Sequence, residues 1–70
     1  MADSIALMVN GEPRSCSAGL NLEALLQELG YQPRLVVVEF NGSILPRAQW
    51  PLQAVVEGDH LEVVTIVGGG

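Results

Sequence analysis

Few groups in this 70-residue chain could take part in covalent chemistry. The most distinctive is main chain: Gly68-Gly69-Gly70, directly after the apolar run 61–67. Glycines carry no side chains, so any role they have must use backbone atoms and the α-carboxylate of Gly70. Without a Cβ they fit slots too narrow for other residues and adopt φ angles that others avoid. Extended, three residues reach roughly 10 Å, enough to place a carboxylate in a partner's active site while the folded body stays outside. An α-carboxyl has a pKa of about 3.3–3.7 and is ionised at neutral pH. As a carboxylate it is a poor electrophile, and a nucleophile can attack only after a leaving group is placed on the carbonyl carbon. A frayed, solvated terminus and a remnant of cloning are the competing readings of the three glycines.

The side chains offer less. His60 lies close in sequence to Glu57, Asp59 and Glu62. Alternation puts His60 and Glu62 on one strand face, but two ligands do not close a metal site. We read these residues as a solvated turn and strand entry and expect no metal. The three acids either steer a basic partner or form a merely soluble surface. Cys16 is the sole cysteine, which excludes a disulfide framework and a cysteine-rich metal site. We read it as a small structural residue on or near an edge strand rather than a relay thiol. Lysine is absent and His60 is the one imidazole. No Gly-rich loop ends in Gly-Lys, and no Ser/His/Asp arrangement exists. The chain is therefore expected not to be an enzyme; catalytic groups, nucleotide site and metal would belong to a partner. Without lysine, only the α-amino group could link the chain into polymers of itself.

The net charge is −5 and the pI about 4.4, with three arginines scattered along the sequence. Nucleic acid and anionic membranes are disfavoured as partners, and a basic protein partner is favoured. No apolar stretch approaches the roughly 18 residues of a membrane span, and no signal peptide is visible. A free thiol fits a reducing, cytoplasmic setting.

These groups need a scaffold, and 70 residues make one domain that buries only about 60% of its unfolded surface. With Tyr31, Phe40 and Trp50 the only aromatics, the core must be aliphatic. Residues 5–9 read as a strand ending at Asn10-Gly11, a hairpin signal because both turn positions need positive φ. Residues 12–17 follow as a second strand, placed at an edge by Pro13. Leu22, Leu25, Leu26 and Leu29 share one helical stripe. Asn21 caps it, Glu23 suits its first turn, and Gly30 and Pro33 end it. Residues 35–40 read as a buried strand, Asn41-Gly42 as a turn and 43–45 as a brief strand. Residues 46–53 read as irregular around Trp50, Gly58-Asp59 as a turn and 60–67 as the last strand.

One helix covers one face of the sheet. Yet the last strand is apolar on both faces: Leu61, Val63 and Val67 point one way, Val64 and Ile66 the other. Either part of the second face stays exposed as a protein interface, or Trp50 and Leu52 fold over it. The candidate interface residues are Val64, Ile66, Trp50 and Glu62. Trp50 is either an interface anchor or packed beneath the 46–53 loop.

The Asn-Gly hairpin, the Leu-rich helix, Val38-Glu39-Phe40-Asn41-Gly42, Pro46-Arg47, Glu57-Gly58-Asp59 with Glu62-Val63-Val64, and Val67-Gly68-Gly69-Gly70 occur in an order that resembles the ThiS family of thiamine-pathway sulfur carriers. The resemblance spans the whole chain. It implies an α+β, ubiquitin-like β-grasp fold: a mixed four- to five-stranded sheet with one main helix on one face. The domain would occupy residues 1–67 and a flexible glycine tail 68–70. It implies that an E1-like adenylating enzyme of the ThiF type uses ATP to activate Gly70. A persulfide donor system would then leave a thiocarboxylate, and a ThiG-type thiazole synthase would take the sulfur. No cofactor would be held stably. Gly69 and Gly70 carry over as the family's pair, with Gly68 as added flexibility. The molybdopterin synthase small subunit shares fold and ending but tends to carry a Pro-Pro step where this chain has Thr65-Ile66-Val67. A ubiquitin-like interaction module with incidental glycines is the remaining alternative.

Overall fold

Asn10 and Gly11 have φ of 53° and 80°, left-handed at both turn positions as a two-residue Asn-Gly hairpin requires. The structure, a computed structural model, describes residues 3–66. The turn joins β1 (Ser4–Val9) to β2 (Glu12–Ser17), with Val9 opposite Glu12 and Ile5 opposite Cys16. The helix α1 (Leu22–Glu28) follows. Its start is closed by Asn21, whose Oδ1 accepts from the Ala24 N–H at 2.8 Å. Its end is a Schellman motif: Gly30, at φ 94°, donates to the Gln27 carbonyl, and Tyr31 donates to the Leu26 carbonyl at 2.9 Å.

A 3-10 turn, Pro33–Leu35, precedes β3 (Val36–Phe40), so this strand starts one residue later than the apolar run suggests. Pro33 pre-sets the φ of that turn, and the Leu35 N–H is drawn back to the Gln32 carbonyl at 2.9 Å. Asn41-Gly42 then leads into β4 (Ser43–Ile44). The segment expected to be irregular contains a 3-10 helix, Arg47–Leu52. Its bonds include Gln49 N–H to the Pro46 carbonyl at 2.9 Å, and Trp50 pins it by donating its indole N–H to the Leu45 carbonyl at 2.9 Å. Beyond β4 the Leu45 N–H still donates to the Val38 carbonyl at 3.0 Å. The last strand is β5 (His60–Thr65); beyond it, Ile66 N–H still donates to the Leu35 carbonyl at 2.6 Å. Val67 and the expected glycine tail, Gly68 to Gly70, lie outside the described residues.

The sheet order is β2-β1-β5-β3-β4, so β2 with Pro13 is an edge strand and β5 is central. β1 and β5 are parallel and the other pairs antiparallel, giving the expected mixed five-stranded sheet. Leu22, Leu25 and Leu26 of α1 are fully buried and share one core with Leu7, Val9, Val36, Val38, Leu61, Val63 and Trp50. Burying each such side chain is worth about 1.5–3 kcal/mol. Among the described residues, no helix is long and apolar enough to cross a membrane.

The parallel β1–β5 ladder spans only Met8 opposite His60 and Val9 opposite Leu61, because β1 turns away at Asn10. The Asn10 side chain takes over the pairing. Its Oδ1 accepts from the Val63 N–H at 2.7 Å and its Nδ2 donates to the Val63 carbonyl at 3.2 Å. It thus reproduces both bonds a further strand residue would make. On the other side of β5, Asn41 at φ 51° donates its N–H to the His60 carbonyl and accepts the His60 N–H on Oδ1 at 2.8 Å. Glycine retains the turn geometry at either position but removes these side-chain bonds. Asn10→Gly is therefore expected to lower stability by about 1–3 kcal/mol. It should appear as a lower urea midpoint at unchanged m-value. Asn41→Gly should cost less, its bonds being solvent-exposed; the reverse ranking would show that the Asn10 bridge does not stabilise β5.

Candidate functional site

β5 alternates as its sequence requires. Leu61 and Val63 point into the core, while Glu62, Val64 and Ile66 are exposed, the last two at 63% and 50%. Across the ladder Val64 faces Val37, which is 41% exposed, and Glu62 faces Glu39. Glu39 in turn faces Ile44 of β4, which is 61% exposed. Val37, Ile44, Val64 and Ile66 therefore make an open apolar face on the side of the sheet away from α1. The expectation of a partly exposed second face is met, and the covering alternative is not: Leu52 is itself exposed.

Trp50 does not project from this face as an exposed anchor. It is 2% exposed and lies in the core cluster with Leu22, Leu25 and Leu26. The indole is large and apolar, and its one polar atom is satisfied by the Leu45 carbonyl, so the ring is stable only inside. Val37 and Ile44 were missed as members of the face. The run 35–40 reads as wholly buried because Val37 is as apolar as its inward neighbours; only the number of covering layers distinguishes them.

The acids near β5 divide into two groups. Glu57 Oε1 accepts from the Ala6 N–H at 2.9 Å, while Asp59 accepts from the Val56 N–H at 2.9 Å and the Asn41 Nδ2 at 3.1 Å. These two carboxylates hold the turn before β5 and the strand beside it. Glu62 is different, since its cross-strand neighbour is another glutamate. Directly opposed like charges are destabilising. Among the described residues, no group of three or more His, Cys, Asp or Glu could hold a metal ion.

Cys16 lies 4% exposed in the core. Burial pushes its thiol pKa up, and the charges of Glu28 and Glu57 push it further. Glu28 is fixed close by, accepting from the Ser17 N–H at 2.8 Å and the Ser17 hydroxyl at 2.9 Å. The thiolate is the nucleophilic form, so this environment suits packing rather than sulfur relay.

The ThiS family model matches residues 7–70. The chain is 48% identical over 64 residues to a thiazole synthase of Paramagnetospirillum magneticum (strain ATCC 700264 / AMB-1), a match covering 91% of this chain and 20% of that protein. It thus spans about a fifth of the length of that relative. The sulfur carrier protein ThiS of Escherichia coli (strain K12) is 28% identical over 64 residues, covering 91% of this chain and 97% of that one. The crystal structure of the thiamine biosynthesis protein ThiS from Geobacter metallireducens superimposes with a TM-score of 0.78 at 36% identity, covering 94% of this chain and all of that one. The fold is the ubiquitin-like β-grasp of these neighbours.

The environment of Cys16 gives a pH expectation. Its pKa is raised in the native state, so both states hold the proton below the unfolded value of about 8.5. Above it the unfolded chain ionises first, and stability falls as pH rises towards the native pKa. Urea midpoints from pH 7 to 10 should decline more steeply for the parent than for Cys16→Ala, and identical slopes would count against a buried, protonated thiol.

Proposed function

From its membership in the ThiS family, a family of small sulfur carriers in thiamine biosynthesis rather than enzymes, we propose that this chain carries sulfur on the carboxylate of Gly70. The supporting observation is that the family match runs through residue 70, so that Gly69 and Gly70 fall within it. The carboxylate oxygen of Gly70 attacks the α-phosphate of ATP in a ThiF-type adenylating enzyme, and pyrophosphate leaves. The terminal sulfur of a donor persulfide then attacks the acyl carbon and AMP leaves, giving an acyl disulfide. A thiol cleaves its S–S bond, leaving a disulfide and the thiocarboxylate. The carrier supplies the acyl group; the partner binds ATP, and the carrier holds no cofactor of its own.

The acceptor in this reading is a ThiG-type thiazole synthase. A thiazole synthase that contains a segment 48% identical to this chain supports the pairing. The work is cytoplasmic, where an unpaired thiol such as Cys16 stays reduced. Docking uses the open face around Val64 and Ile66, with Glu62 meeting a basic group of the partner, while Gly68 and Gly69 let the end enter a narrow channel. β5, paired with β3 along its length and held on its other side as far as Val63, serves as the fixed base, because a rigid element positions a reacting group better than a loop.

Incubation with the activating enzyme, ATP and a sulfur donor should raise the intact mass by the difference between sulfur and oxygen, and fragmentation should place that change on Gly70. An unmodified mass, or the change on another residue, would refute the assignment. Gly70→Ala crowds the carbonyl and should slow ATP–pyrophosphate exchange roughly tenfold or more at unchanged thermal stability. Val64→Asp should weaken binding to the activating enzyme roughly tenfold, whereas unaltered binding would move the docking surface off this face.

A further inference from the structure

The sequence separates Arg34 from Arg47, but the fold brings both to the rim of one groove beside β3, β4 and the 3-10 helix Arg47–Leu52. The groove has a volume of about 270 Å³ and is lined by Val37, Ile44, Trp50 and Ile66 among others. That is under the roughly 300–1,000 Å³ of small-molecule and cofactor sites, and it suits a single inserted side chain. Trp50, held by its bond to the Leu45 carbonyl, makes part of the wall rigid. The charge is the second observation. The chain has three arginines against eight acids, yet two of the three border this groove. No hydrogen bond of either guanidinium occurs among the described residues, and the carboxylates of Glu28, Glu57 and Asp59 are engaged elsewhere. On the same open face Glu39 lies opposite Ile44 of the groove lining, and Glu62 lies one strand further on, opposite Glu39. Both signs of charge therefore border the face, with the two guanidiniums on the groove itself.

We propose that this groove receives one apolar side chain from an acidic, extended segment of a partner protein, with the flanking carboxylates taken by Arg34 and Arg47. A guanidinium offers a planar fork of donors that matches a carboxylate, and an apolar anchor between two such forks gives both depth and direction. The inference deepens the docking face proposed above by naming the chemistry it selects, and it rests on that face being an interface. It requires neither the glycine end nor ATP.

The test titrates the isotope-labelled protein with the blocked peptide Glu-Asp-Phe-Asp-Glu and, in parallel, Lys-Lys-Phe-Lys-Lys, following amide and indole NMR signals. The acidic peptide should shift Val37, Ile44, Arg47, Ile66 and the Trp50 indole N–H, and the basic peptide should leave them in place. The double variant Arg34→Glu with Arg47→Glu should bind the acidic peptide roughly tenfold more weakly or worse. Arg14→Glu, on the opposite edge strand, should change binding by less than about twofold. Equal binding of both peptides, undiminished binding by the double variant, or no shifts at millimolar peptide would each overturn the proposal. So would sedimentation showing that a second copy of the chain fills the groove. Because no activating enzyme is present, a negative result here leaves a positive sulfur-loading result standing, and the reverse also holds.

Discussion

The structure depends on keeping one central strand hydrogen-bonded where both its neighbours leave it. β5 runs between β1 and β3, and each neighbour turns away at an Asn-Gly pair. Strand backbone groups left by a departing neighbour need new partners, and here two side chains provide them, one at buried Val63 and one at exposed His60. The Asn10 amide faces both polar groups of Val63, and Asn41 takes the N–H of His60. Asparagine suits this task twice over, since it tolerates the left-handed φ of the turn and carries a donor and an acceptor in an amide that imitates the peptide group. The same residue type therefore makes the turn and repairs the ladder that the turn interrupts.

The two faces of the sheet follow from the size of the chain. α1 has seven residues and one stripe of leucines, sufficient to cover one side. Trp50 joins that side, which makes the core deeper and leaves nothing large to cover the other. Val37, Ile44, Val64 and Ile66 stay in water, a cost of about 25 cal/mol for each Å² left unburied. Glu39 opposite Glu62 adds a repulsion that favours neither folding nor strand pairing. Apolar residues and like charges collected on one open face make sense when another protein completes it.

Local features of the sequence were readable because local physics decides them. Asn-Gly at 10–11 and 41–42 sets φ directly, and the α1 caps at Asn21 and Gly30 sit next to the groups they satisfy. What was not readable depends on distant groups. Asn10 bonds to Val63, 53 positions away, and nothing near Asn10 in sequence announces it. Trp50 was assignable to surface or interior only once the Leu45 carbonyl and the α1 leucines were in place. The 3-10 helix at Arg47–Leu52 has no apolar period and holds Pro51 within it, so no pattern could mark it. Glu57 and Asp59 read as surface charge, whereas Glu57 accepts the Ala6 N–H of β1 and Asp59 closes the turn before β5 by accepting the Val56 N–H.

Those structural commitments narrow what the remaining groups are for. Glu28, Glu57 and Asp59 are acceptors for backbone N–H groups, and Cys16 is held protonated in the core. Removing any of them from its task would loosen the turn or strand it holds. Among the remaining charged groups, Glu39, Glu62, Arg34 and Arg47 stand around the open apolar face. The central strand β5, paired with β3 along its length and bridged by Asn10 at Val63, gives that face a fixed backbone.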